Sequence, residues 1–301
     1  MLGVMKAAVV HELGSPPVYE DFAEPVPGPE EQLVTVRAAG LHPLVKGLAA
    51  GKHYAAKAQP PLIPGIDGVG HTADGRRVYF GGIKLPYGTM AERATASRHA
   101  FELPDALSDS KCAALMNPGM SSWLALVERA RFEPGETVMV IGATGAAGRL
   151  ALQVAKKLGA GRIIAAARDR AALEALPADL HLGIDELARV SEEKVDVVLD
   201  YVWGPPAEAT LAALRGRTRY VQIGAMAGDP IRLPSAVLRS TGITISGSGL
   251  GSVPMETIVR EMPRFLAMAP DLEVDVLEVP LRDVNQAWNE RTGARRLVFV
   301  P

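Results

Sequence analysis

Between Thr137 and Gly161 the chain reads TVMVIGATGAAGRLALQVAKKLGAG, an apolar run that passes through closely spaced glycines into a stretch with helical spacing. Thr137 to Ile141 has the composition of a strand buried on both faces. Leu150, Val154 and Leu158 then recur every fourth residue with Ala147, Ala151 and Ala155 beside them, and Gly159 stands where a helix stops. The glycines therefore lie between a strand and a helix. In that setting Ala143-x-Gly145-x-x-Gly148 is a variant of the dinucleotide fingerprint: Gly145 permits the tight turn and close approach of backbone, and Gly148 lets helix and strand pack. A glycine pattern alone also makes ordinary turns. The strand before it, the helix after it and a second strand, RIIAAA, point instead to a pyrophosphate held on helix N–H groups.

The same alternation continues downstream. From about Pro118, TVMVIG, RIIAAA, VDVVLD, RYVQIG and GITISG are separated by Ala- and Leu-rich helical stretches, the pattern of βαβ units and a doubly wound parallel sheet. Upstream the texture is short β-type runs broken by Gly and Pro, KAAVVHELG, QLVTVRAAG, GRRVYFGG and TMAERATA, as in a β-rich, loop-rich lobe. After about residue 268, LEVDVLEVP and RRLVFVP return to β-type runs that rejoin the first lobe. The expected organisation is 1–118 with 268–301 as the β-rich domain and 119–267 as the dinucleotide-binding domain. At 301 residues and 48% hydrophobic, the chain is long enough for both.

A formal net charge of −2, with no long basic run, disfavours nucleic acid as a partner. No segment has the length and apolarity of a membrane span or signal peptide, so a cytoplasmic protein is expected. The lone cysteine, Cys112, excludes an internal disulfide and any multi-cysteine zinc site, and its surroundings suit a core thiol.

The second strand ends in Arg168-Asp169-Arg170. Arg168 and Arg170 are placed to fork onto a ribose 2′-phosphate, with Asp169 capping the next helix. The alternative is Asp169 on the ribose of NAD, with the arginines as solvated charge. NADP(H) is the expected cofactor, and a nicotinamide implies hydride transfer. No histidines stand at ligand spacing beside a cysteine or carboxylate cluster, and no tyrosine is followed four residues on by lysine. Without a device to hold an alkoxide, a quinone or α,β-unsaturated carbonyl is the easier acceptor, because conjugation spreads the charge as hydride arrives.

MKAAVV, AAGLHPLVKGLAAGKHY, PLIPGIDGVG, DGRRVYFGG, YGTMAERATA, NPGMSSWLAL, the glycine segment, VDVVLDYVWG and GARRLVFVP follow one another in an order that resembles the medium-chain dehydrogenase/reductase superfamily, in its zinc-free quinone oxidoreductase branch. The resemblance implies a GroES-like β-rich catalytic domain joined to a Rossmann domain, with cofactor and substrate between them, and a homodimer formed near ITISGSG. Zinc-bearing members would carry a cysteine at His42 and Gly-His-Glu where this chain has Gly65-Ile66-Asp67, so no metal is expected. By the same resemblance the cofactor meets Asn117 and Met120, the turn Thr144, Gly145, Ala146, Ala147 and Gly148, the segments Gly224, Ala225, Met226 and Ser248, Gly249, Leu250, and Arg296 near the C-terminus.

On the substrate side the chain departs from the branch. His42 is a candidate hydrogen-bond donor to a carbonyl oxygen, assisted by Lys46 or Tyr54, and equally a structural imidazole at the lobe junction. Lys52, His53 and Lys57 suit a solvated loop over the site; Tyr87 and Trp123 suit either a pocket wall or the core. The expected function is NADPH-dependent, zinc-independent reduction of a quinone or enone. A redox-silent NADPH-binding sensor and an alcohol dehydrogenase with a non-zinc mechanism are the alternatives.

Overall fold

The computed structural model describes residues 3–56, 59–82, 84–98 and 100–301. Lys57 lies outside them. The chain separates into two compact units, Met1–Asn117 with Leu266–Pro301, and Pro118–Phe265. Among the described residues no helix is long and apolar enough to cross a membrane.

In the first unit β1 (Val4–Val9) pairs antiparallel with β2 (Val18–Ala23). A larger sheet contains β3 (Glu31–Gly40), β4 (Asp67–Thr72), β5 (Arg77–Gly81) and β7 (Phe101–Glu102), with β6 (Arg93–Ser97) on the other side of β3. Helix α1 (Pro43–Ala49) follows β3, its Pro43 fixing the φ that a first helical residue needs. Helix α2 (Asp109–Leu124) carries Pro118 in its interior. Met5, Val9, Ile63, Met90, Trp288 and Phe299 share one apolar core, and Val34, Val78 and Phe80 anchor a second beneath β3 and β5.

The second unit is a parallel sheet. Its strands β8 (Thr137–Ile141), β9 (Arg162–Ala167), β10 (Leu180–Gly183), β11 (Val197–Asp200), β12 (Arg219–Gln222) and β13 (Thr244–Gly247) lie in the order β10-β9-β8-β11-β12-β13, every neighbouring pair parallel. Every residue of β8 and β11 is buried, as central strands covered on both faces require. The chain reverses its direction of travel across the sheet between β8 and β11, the switch point at which open α/β sheets take their ligands. The crossovers are α3 (Ala146–Lys157), α4 (Arg170–Glu174), a 3-10 segment over Ile184–Glu192, α5 (Gly204–Ala213) and α6 (Ser235–Thr241), followed by α7 (Met255–Met268).

Helix α3 shows how the local sequence sets the element. Leu150, Ala151, Val154 and Ala155 are buried. The helix stops in a Schellman motif: Gly159, at φ +92°, donates to Lys156 O and Ala160 donates to Ala155 O. The tail then returns to the first unit through β14 (Val276–Pro280), α8 (Val284–Ala287) and β15 (Arg296–Val300), where β15 pairs antiparallel with β3 at Val298–Gly40 and Phe299–Ala39. The fold is the expected one, a Rossmann doubly wound parallel sheet with a separate GroES-like, β-rich domain.

Candidate functional site: a dinucleotide turn and a buried polar cluster

The turn between β8 and α3 is Gly142 to Gly145. Gly142 adopts φ +89°, and both its N–H and that of Ala143 donate to Ala166 O of β9, at 2.8 and 3.1 Å. Gly145 is the N-cap of α3 at φ −71°, an ordinary conformation for any residue. The tight-turn role expected of Gly145 therefore belongs to Gly142, which the sequence fingerprint passed over because it ends the apolar run. Gly148 has the expected packing role: a Cβ there would lie 2.3 Å from Gly142 O. Helical bonding starts with Arg149 N–H donating to Gly145 O at 2.9 Å. Among the described residues, the N–H groups of Ala146, Ala147 and Gly148 have no protein acceptor, so three donors are left at the positive end of a helix at the switch point.

Arg168 follows β9 and is exposed. Asp169 caps α4 by accepting the Ala172 N–H at 3.1 Å, as its sequence setting implies. Arg170 corrects the expected two-arginine fork: it pairs with Glu186 at 2.6 Å and Asp185 at 3.6 Å. The Arg170 guanidinium, with the Gly183 N–H, holds the Glu186 carboxyl down at about 2. Arg168 has no acid partner among the described residues.

Asp200, buried at the end of β11, organises the next part of this strand end. One carboxylate oxygen accepts the N–H groups of Val202 (2.8 Å) and Trp203 (3.0 Å), and the other accepts the Tyr220 hydroxyl (2.6 Å). Burial pushes its carboxyl up, against those three donors. The bond to Trp203 steadies a bulky residue at φ +53°, a strained conformation beside the turn. Tyr201 donates its N–H to Ile141 O at 3.1 Å, while Asp200 O accepts from Gly224 at 3.1 Å. Ser122 donates to Pro118 O at 2.9 Å and accepts from Tyr201 Oη at 2.7 Å. The backbone of Asp200 and Tyr201 thus ties the glycine turn to the Gly224 segment, and the Tyr201 hydroxyl ties both to Pro118, none of which was visible in the sequence. Of the other expected cofactor residues, Asn117 is half-buried, Met120 is buried, Ala225 and Met226 are exposed, Ser248 is buried with its N–H on Gln222 O, Gly249 donates to Ser252 Oγ at 2.9 Å, and Leu250 is exposed.

In the first unit His42 is the N-cap of α1 and only 2% exposed. Its Nε2 faces Asp67 Oδ1 at 3.4 Å, too long for a good hydrogen bond. Tyr79 Oη donates to Asp67 Oδ2 at 2.7 Å and Thr89 Oγ1 to Asp67 O at 2.7 Å. Both His42 nitrogens, Asp67 Oδ1 and Arg296 Nε are buried without hydrogen-bond partners among the described residues. Burial lowers the Arg296 guanidinium to about 10, with Asp67 acting the other way. Burial, and then the Asp67 charge, push the Tyr79 hydroxyl and the Cys112 thiol well up. Lys46 is half-buried, and burial lowers its ammonium. Tyr54 is exposed and stacks on His53 at 4.0 Å, and His53 Nδ1 accepts the Ala55 N–H at 3.1 Å. Tyr87 packs edge-on to Phe22, and Trp123 is buried, donating to Glu261 at 3.1 Å.

The zinc-binding dehydrogenase family matches residues 146–268. Across 99% of this chain and 100% of the relative, the sequence is 32% identical to a probable NADPH-dependent quinone reductase from Emericella nidulans. The chain belongs to the medium-chain dehydrogenase/reductase superfamily. Its place in that superfamily is the quinone oxidoreductase-like branch, and it is an oxidoreductase. The quinone oxidoreductase of Thermus thermophilus, a structure also determined with NADPH, shares the fold at a TM-score of 0.85, with 29% identity over 99% of this chain and 100% of that one. A cobalt- and zinc-bound alcohol dehydrogenase from Pyrobaculum aerophilum shares the fold at a TM-score of 0.80 and 24% identity, over 99% of this chain and 100% of that one.

Because one such dehydrogenase fold holds metal, the donor set has to be judged from this chain's residues. Three protein ligands are the minimum for a catalytic zinc site. His42 and Asp67 are neighbours, Ile66 has no donor atom, and the same cluster holds the Arg296 cation. Among the described residues no group of three His, Cys, Asp or Glu side chains could hold a metal ion. Among the described residues the donor set does not fit zinc. The residues do fit a dinucleotide: the turn offers three free N–H donors, and its close packing excludes a side chain at Gly148.

Proposed function

We propose that this dehydrogenase/reductase is a cytoplasmic, NADPH-dependent quinone reductase that also accepts α,β-unsaturated carbonyls and works without zinc. The observation that carries the proposal is the set of free donors on Ala146, Ala147 and Gly148, with Arg168, which lacks an acid partner, beyond the adjacent strand. The N–H groups hold the pyrophosphate and Arg168 takes the 2′-phosphate. Gly224, Ala225, Met226, Ser248, Gly249, Leu250, Asn117, Met120 and Arg296 remain the proposed remainder of the cofactor site. The names of the Emericella and Thermus relatives support quinone as acceptor and NADPH as donor.

The bound nicotinamide supplies hydride, and one proton completes the conversion of quinone to hydroquinone. His42 is the proposed polar group on the substrate side, with Lys46 and Tyr54 assisting. Its Nε2 faces the Asp67 carboxylate at 3.4 Å and its Nδ1 has no protein partner among the described residues, which leaves a ring nitrogen for a substrate oxygen. The branch also leads us to propose a homodimer through β13, the outer strand of its sheet, which light scattering tests.

The burial of His42 favours one other function, NADPH binding without turnover. A single experiment separates the two. NADPH and NADH absorbance are followed with EDTA present while quinones, enones, aldehydes and ketones are offered. NADPH consumption with quinones or enones is expected, unchanged by EDTA. Loss of activity in EDTA would remove the zinc-free mechanism, and binding without consumption would favour the silent binder.

A further inference from the structure

Helix α3 carries charge at its start opposite to what a helix prefers. The macrodipole favours Asp or Glu in the first turn. This helix has no acid there and has Arg149 at its fourth position, one residue beyond the three unpartnered N–H groups. The arginine is not held there by an acid: its side chain makes a single hydrogen bond, Nε donating to Thr144 O at 3.1 Å, and no ion pair among the described residues. The same carbonyl, four residues before Gly148, does not accept from the Gly148 N–H. Helical side chains lean toward the N-terminus, so a residue at this position covers the turn before it. Anchored through Nε, the guanidinium is fixed beside the turn with both terminal nitrogens uncommitted. Several arginines of the same unit are committed instead to acids: Arg162, Arg170, Arg219 and Arg260 each pair with a carboxylate.

We propose that Arg149 is a ligand of the cofactor's pyrophosphate, adding a charged, forked donor to the three backbone N–H groups, while Arg168 takes the 2′-phosphate. The assignment rests on the reductase proposal above. It divides the phosphates by position: Arg149 braces the turn itself through Thr144, whereas Arg168 stands at the end of the next strand. The pyrophosphate is common to NADPH and NADH, so Arg149 serves both, and only Arg168 distinguishes them.

The test is Arg149→Gln, which keeps an N–H able to reach Thr144 O and removes the charge. Dissociation constants for NADPH, NADH and ADP are measured on the whole chain by calorimetry at two salt concentrations. Loss of a charge-assisted contact to phosphate is expected to weaken all three by a similar factor, about 10- to 100-fold, and to flatten the salt dependence. Thermal unfolding of the unliganded variant is expected at or above the wild-type temperature, because a repulsive charge has left the first turn. Unchanged affinities would reduce Arg149 to a brace and overturn the assignment. Weakening confined to NADPH would also overturn it, by placing the side chain on the 2′-phosphate. If the wild-type chain binds neither dinucleotide, the reductase proposal fails first and this assignment with it; wild-type binding with an indifferent variant removes this assignment alone.

Discussion

Gly148→Ala and Gly145→Ala should separate folding from phosphate binding within one turn. A methyl on Gly148 would stand 2.3 Å from Gly142 O, 2.7 Å from Ala143 Cα and 2.9 Å from the Gly142 carbonyl carbon. All three are backbone atoms, so no rotamer change relieves them. Nonbonded heavy atoms settle at roughly 3.5 Å, so α3 must withdraw from β8 by about 1 Å. Overpacking of this kind costs about 1–3 kcal/mol, and contact with backbone puts it at the upper end. Alanine recovers about 1 kcal/mol of helix propensity over glycine. The net loss expected is about 2 kcal/mol, or a fall in Tm of about 4–8 °C for a unit of this size. The same withdrawal carries the Ala146, Ala147 and Gly148 donors away from the pyrophosphate, weakening NADPH binding by about tenfold or more. At Gly145 the nearest atom to an added methyl is Gly142 O at 3.4 Å, and φ is −71°. That variant should keep its stability to within about 1 kcal/mol, the scale of an N-cap change, and lose NADPH affinity by steric exclusion of the phosphate alone. Urea unfolding followed by circular dichroism gives the first quantity and NADPH fluorescence titration the second. A Gly148→Ala protein as stable as wild type, or a Gly145→Ala protein that unfolds early, would refute the reasoning.

Arg168→Ala should weaken NADPH about 10- to 100-fold, the scale of a lost charge-assisted contact, and leave NADH nearly unchanged; calorimetry showing equal losses would remove the 2′-phosphate contact. Arg170→Ala should change neither as much, because Arg170 already pairs with Glu186 and Asp185. The Glu186 carboxyl lies at about 2 when folded against 4.5 ordinarily. Its ion pair therefore contributes stability above the unfolded value, lost as pH falls through the folded one. Glu186→Gln should flatten the decline in Tm between pH 4.5 and 2, and an identical decline would refute that origin. Tyr201→Phe removes the donor to Ser122 while Ser122 still reaches Pro118 O, and should cost about 1 kcal/mol in urea unfolding; a loss within error would show that the hydroxyl chain carries no net stability.

The Rossmann unit was the legible part, for physical reasons that differ by residue. Strands buried on both faces are apolar throughout, which made β8, β9 and β11 visible, and the four-residue recurrence of Leu150, Val154 and Leu158 made α3 visible. Strand β10 escaped because LHLG is four residues with a histidine on it, too short to show a period. Glycine spacing located the turn but could not say which glycine takes positive φ, so a role was placed on Gly145 that Gly142 fills. The capture of Arg170 by Glu186 joins residues sixteen positions apart across β10, a tertiary event that no local pattern encodes. On the substrate side, Asp67 was visible only through its place after Gly65-Ile66, and nothing in LHPLVKG distinguishes a buried His42 from an exposed one.

The two units treat buried polar groups in opposite ways, which is what the proposed substrate role of His42 builds on. In the Rossmann unit Asp200 satisfies its carboxylate with Val202, Trp203 and Tyr220, and Ser122 and Tyr201 satisfy one another. Arg129, whose Nε is unpartnered, still reaches Ser252 O through another nitrogen. Among the described residues, the backbone donors left over at the glycine turn are those of Ala146, Ala147 and Gly148, where the proposed pyrophosphate would complete them. In the β-rich unit the leftovers are inside: two imidazole nitrogens, a carboxylate oxygen and a guanidinium nitrogen around Asp67. An unsatisfied buried polar atom costs about 1–3 kcal/mol, and folds keep few of them unless a ligand, water or reaction uses the group. Asp67 is the centre of that cluster, since it faces His42, accepts from Tyr79 and acts on the Arg296 charge. Replacing it leaves a buried cation without its attractor, whereas replacing His42 leaves the Asp67–Tyr79 bond intact. Asp67→Asn should therefore damage folding and turnover together, and His42→Gln turnover alone; that difference distinguishes a structural imidazole from one that serves the substrate.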